Sequence, residues 1–126
     1  MPGNSRNPHN REILHGMAKG PWAYHWAFEQ EEKGHSFSGQ NIYDLCPEPP
    51  RTAKRWARKL ADDIATANDG LGLEPLFLAA RNKGFSESRE NFGAYLGCEA
   101  DGMGIRWDDD ISTNLKIEVP CREFYL

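Results

Sequence analysis

This 126-residue sequence contains no run of about eighteen apolar residues, so a membrane-crossing helix is not expected. Met1 to Asn10 holds no apolar stretch of the kind a signal peptide needs, and a cytoplasmic protein is expected. Cysteine is scarce, and Cys46, Cys98 and Cys121 are odd in number and far apart. They form neither a disulfide framework nor a paired zinc-ligand motif, and buried, inert thiols are expected. Internal repeats, low-complexity tracts and recognised catalytic signatures are also missing. Basic side chains are outnumbered, 15 to 19, and the net charge of −4 argues against adhesion to nucleic acid driven by overall charge.

What is present suffices for one folded domain. Hydrophobic residues make up 39% of the chain, with 4 Trp, 4 Tyr and 6 Phe, which is not a disordered composition. Residues 1–9 read as a flexible tail with nothing to bury, followed by a single globular domain over 10–126. Asn10 is the first plausible helix cap. Gly16, Gly20 and Pro21 predict that a short helix over about 11–18 bends or stops before a second runs from Pro21 to Lys33, with Gly34 in the left-handed position beyond its end. Trp22 and Trp26, Ala23 and Ala27, and Tyr24 and Phe28 each lie four apart. Aromatic surface therefore wraps much of that second helix, which predicts covering on more than one side.

Ser38 is the expected cap of a short helix through Ile42 and Leu45, and Cys46-Pro47-Glu48-Pro49-Pro50 forms a stiff extended linker. The clearest helix follows: Ala53, Trp56, Ala57, Leu60, Ala61, Ile64 and Ala65 recur at helical steps, and Asn68-Asp69-Gly70 ends the run. Glu74-Pro75 opens another helix, closed by Lys83-Gly84, and Ser86 or Ser88 caps a last one carrying Phe92, Tyr95 and Leu96. Gly93 and Gly97 on that helix allow another backbone to approach closely. Alternation in Ile105-Arg106-Trp107 and in Leu115, Ile117 and Val119 predicts two antiparallel strands. The expected fold is mainly α, a compact bundle of about four to six helices with a small C-terminal β-hairpin or ribbon.

Three charged groupings are candidate sites. Arg51, Lys54, Arg55, Arg58 and Lys59 cluster at the start of the clearest helix, where positive charge opposes the dipole. Arg58 with Asp62, and Lys59 with Asp63, have i,i+4 partners, whereas Arg51, Lys54 and Arg55 have none downstream. A phosphate, a nucleic-acid strand or an acidic protein patch fits this face, and so does plain solvation. Asp108, Asp109 and Asp110 offer three carboxylates for a basic partner or a divalent cation, or form a solvated turn. His25 and Glu29 share a helix face, but one such pair is too few ligands for a metal site, and no metal or other cofactor is expected. None of the cysteines has a neighbouring motif that would make it a nucleophile.

Two passages carry a resemblance: Gln30-Glu31-Glu32-Lys33-Gly34-His35-Ser36-Phe37-Ser38-Gly39 running into Ile42 and Pro47, and Asn91-Phe92-Gly93-Ala94-Tyr95-Leu96-Gly97 running into Gly104-Ile105-Arg106-Trp107-Asp108-Asp109. With the helix between them, over about residues 10–112, the chain resembles small accessory proteins encoded by bacteriophages and prophages of proteobacteria. Such proteins include inhibitors of host defence, among them anti-CRISPR proteins, and they bring no catalytic residues to carry over. The resemblance and the residues together imply a non-catalytic protein that binds and inhibits or modulates a host protein complex, through Arg51, Lys54, Arg55, Arg58, Asp108, Asp109 and Asp110. The alternative is a small nucleic-acid-binding regulator using the basic helix at 51–59. A metal-dependent enzyme built on His25 and Glu29 comes third.

Overall fold

The computed structural model describes residues 9–67, 72–84 and 88–104. These form helices α1 (Arg11–Glu32), α2 (Ile42–Leu45), α3 (Arg51–Ala67), α4 (Glu74–Asn82) and α5 (Arg89–Gly102). The mainly helical expectation holds among the described residues. The C-terminal hairpin expected over 105–119 lies outside them.

The largest departure from the sequence reading is α1. Residues 11–32 make one helix of 22 residues with Pro21 inside it, where two helices divided by a bend or stop were expected. Gly16 and Gly20 are not stop signals; they are contact points. A Cβ on Gly16 would sit 2.1 Å from the Glu90 carbonyl oxygen, and one on Gly20 would sit 2.9 Å from Ala94 Cα. The approach is mutual. A Cβ on Gly93 would lie 2.0 Å from the Ile13 carbonyl oxygen, and one on Gly97 would lie 2.3 Å from that of Met17.

Residues 13 and 93, 17 and 97, and 25 and 101 therefore face one another, so α1 and α5 run parallel with their backbones in contact. Pro21 has no N–H to give the Met17 carbonyl four residues back. That carbonyl faces Gly97, whose missing side chain lets the two backbones meet there. Tertiary packing thus overrides the local preference to break.

The small residues of α1 also set which face is buried. Gly16, Gly20, Ala23 and Ala27 are covered, while Tyr24 and Phe28 are exposed and Trp22 and Trp26 half-buried. The core is shared by Ile13 and Met17 of α1, Trp56, Leu60 and Ile64 of α3, Leu76 and Phe77 of α4, and Phe92 and Leu96 of α5. Phe77 meets Phe92 edge-on at 5.7 Å, the favourable arrangement for two ring quadrupoles. Arg89 closes the same corner, donating from Nε to Glu74 at 2.9 Å with its guanidinium over the Phe77 ring at 4.9 Å. The hydrogen bond from Arg89 holds the Glu74 carboxyl below the usual carboxylate range.

Caps follow the residue chemistry. Asn10 accepts from the Glu12 and Ile13 amides, and Ser88, rather than Ser86, accepts from Asn91. Gly34 takes φ +99° after α1, the left-handed stop expected of it. The short second helix is only Ile42–Leu45, capped by Asn41 and not by Ser38.

His9, the last residue of the expected tail, is 4% exposed, and its Nε2 lies 2.7 Å from Asp62 Oδ1 on α3. Asp62 is therefore engaged across the fold instead of with Arg58 on its own helix. This contact and that of His15 with Glu48 run α3 back alongside α1 in the opposite direction. None of the helices among the described residues is long and apolar enough to cross a membrane.

Candidate functional site

The basic face of α3 forms as its helical spacing requires. Ala53, Trp56, Ala57, Leu60 and Ile64 enter the core, which leaves Arg51, Lys54, Arg55, Arg58 and Lys59 exposed. Lys54 reaches back to Glu48 in the proline-rich linker at 3.3 Å. Its hydrogen bond is the largest influence lowering the Glu48 carboxyl, and His15 contributes to it. Among the described residues, Arg51, Arg55 and Arg58 have no ion-pair partner. Asp108, Asp109 and Asp110 lie outside the described residues, so only the basic half of the expected site has a place in the structure.

A polar network not legible in the sequence pins α2 and the linker to the bundle. Tyr43 of α2 donates a short hydrogen bond to Glu90 of α5. The second carboxylate oxygen of Glu90 lies 3.4 Å from His15 Nδ1, and His15 Nε2 lies 3.5 Å from Glu48. Lys19 sits over the Tyr43 ring at 4.6 Å. Burial first, and the bond to Glu90 second, push the Tyr43 phenol well above its ordinary range, so it stays a proton donor. Tyr43 and Glu90 are 47 residues apart, which is why spacing gave no sign of them.

His25 does not pair with Glu29. Its Nε2 lies 3.0 and 3.1 Å from the two carboxylate oxygens of Asp101 on α5. No group of three or more His, Cys, Asp or Glu side chains arranged to hold a metal ion occurs among the described residues.

Cys46 is buried and Cys98 half-buried, and Cys121 lies outside the described residues. Burial raises the Cys46 thiol and pushes that of Cys98 up to about 11, helped by Asp101 and Glu99. Little thiolate exists at neutral pH under those conditions, so alkylation of Cys98 by iodoacetamide at pH 7.5 is expected to be at least about tenfold slower than that of free cysteine. Mass spectrometry of Cys98 in the folded protein measures this; a rate equal to free cysteine's would contradict it.

The surface that sequence reasoning placed under cover is the aromatic end of α1. Tyr24 is 63% and Phe28 64% exposed, one turn apart on the same face. Trp26 is partly covered by Phe37, at 5.1 Å between ring centroids. Beside them an open cleft of about 260 Å³ is lined by Trp22, His25, Phe28, Glu29 and Glu32. The available signal was the small-residue stripe Gly16-Gly20-Ala23-Ala27, which marks the buried face and turns Tyr24 and Phe28 away from it.

Comparison with protein-family models, curated proteins and solved structures finds no match.

Proposed function

We propose that this chain acts by binding a protein partner, through the aromatic end of α1 and the basic face of α3, and not by turning over a substrate. The observation that carries the reading is the exposed Tyr24 and Phe28 pair. Large rings left in water on a rigid helix suit an interface anchor, because a ring buries much area while ordering few torsions. The resemblance to phage and prophage accessory proteins makes a host protein complex the partner class, with inhibition or modulation by occupancy as the mode of action. Arg51, Arg55 and Arg58 add a rim of unpaired positive charge suited to an acidic protein patch.

The same arginines favour the second reading, a regulator that binds nucleic acid through α3. Capture from a bacterial lysate with and without nuclease separates the two. The protein-binding reading expects a partner retained after nuclease and lost with Tyr24→Ser plus Phe28→Ser. Capture that disappears with nuclease, together with salt-sensitive binding to free DNA or RNA that Arg51→Glu plus Arg55→Glu abolishes, would replace it with the regulator.

A further inference from the structure

The cleft at the end of α1 has a composition that selects a ligand by charge. Trp22 and Phe28 supply ring surface, and Glu29 and Glu32 supply carboxylates. His25, tied to Asp101 of α5, fixes the cleft against the bundle. Among the described residues, neither Glu29 nor Glu32 has an ion-pair partner. Glu29, Glu31 and Glu32 all stand in the last turns of α1, with Lys33 at the cap position beyond them. The carbonyl end of a helix already carries partial negative charge, so these carboxylates repel both the dipole and one another. A cation seated among them relieves that repulsion.

Aromatic faces attract cations through their quadrupoles, and a guanidinium also stacks flat on a ring while bridging two carboxylate oxygens. The cleft volume of about 260 Å³ falls below the roughly 300–1,000 Å³ of pockets that enclose whole cofactors.

We propose that this cleft receives an arginine side chain of the protein partner, an inference that rests on the protein-binding reading and names the chemistry of the contact. Charge complementarity identifies the occupant: a cationic, planar group meets two unpaired carboxylates and two aromatic walls.

The test uses N-acetyl-arginine amide as probe and N-acetyl-citrulline amide as its uncharged counterpart, followed by the nitrogen-15 NMR signals of the full chain. Saturable shifts of the Trp22 indole and the Glu29 and Glu32 amides are expected with arginine and not with citrulline. Glu29→Gln plus Glu32→Gln should weaken the arginine response at least about tenfold, with an unchanged thermal midpoint showing that the fold is intact. Equal responses to both probes, or an arginine response that the double variant retains, would overturn the proposal.

A concentration-dependent dimer that the same double variant abolishes would also overturn it, by making a second copy of this chain the occupant. If the double variant leaves the arginine response absent but still captures the lysate partner, the cleft assignment fails while protein binding stands. If the arginine response is as expected and no protein is captured by the wild-type chain, the reverse holds: the arginine chemistry is supported and the protein-binding reading fails.

Discussion

Gly93→Ala is expected to destabilise the protein by about 3 kcal/mol or more, near or beyond the upper end of ordinary overpacking. The added methyl would sit 2.0 Å from the Ile13 carbonyl oxygen and 2.8 Å from its carbon. Both are backbone atoms of a helix and cannot rotate aside as a flexible side chain would. Relief requires α1 and α5 to separate, and that loosens the Ile13, Met17, Phe92 and Leu96 contacts in the core. Thermal denaturation followed by circular dichroism reads the effect as a fall in midpoint of roughly 10–20 °C for a domain of this size. Gly16→Ala meets the Glu90 carbonyl at 2.1 Å from the other side and should behave alike. Gly102→Ala is the control, because none of the described residues lies within 4 Å of its added Cβ, and it should stay within about 0.5 kcal/mol of wild type. A Gly93→Ala protein as stable as the control would mean that the two helices do not touch backbone to backbone.

The second large effect belongs to α3. Trp56 and Leu60 are 2% and 0% exposed in the cluster that joins α1, α3, α4 and α5. Trp56→Ala should cost about 3–5 kcal/mol and Leu60→Ala about 2–5 kcal/mol, the lost transfer of buried atoms plus the cavity left behind. Thr66→Ala removes only an exposed hydroxyl bonded to the Asp62 carbonyl of the preceding turn, at 2.9 Å. Its cost should be small, since such a bond competes with water. Urea unfolding of the three variants measures all the values together. Equal losses at all three positions would show that the stripe does not face the core.

Where local chemistry and packing agree, the sequence is a sufficient guide. The α3 stripe, the Asn10 and Ser88 caps, the stop at Gly34 and the proline opening of α4 each depend on residues within one or two turns. The exposed basic face of α3 follows from the same periodicity, because burying one side of a helix leaves the other in water. The arginine cleft is less legible. Its aromatic and acidic residues lie within one helix, but their exposure depends on which face of α1 meets α5.

Pro21 and the glycines divide what sequence alone determines from what packing decides. Local rules treat Gly16, Gly20 and Pro21 as interruptions, and for an isolated helix that is sound. The partner of each is about seventy-five residues away, where Gly93 and Gly97 leave room for the α1 backbone, and no local pattern encodes a fit between two distant surfaces. The same holds for His9 with Asp62, His25 with Asp101 and Tyr43 with Glu90: each residue's polarity is written in the chain, but its partner is chosen by the crossing of helices. The sequence by itself determines a mainly helical protein with one strongly amphipathic helix and a basic outer face. Only the tertiary structure decides that α1 is continuous, that its small residues rather than its rings are buried, and that Tyr24 and Phe28 therefore stand in solvent, because close helix contact is strongest where side chains are smallest.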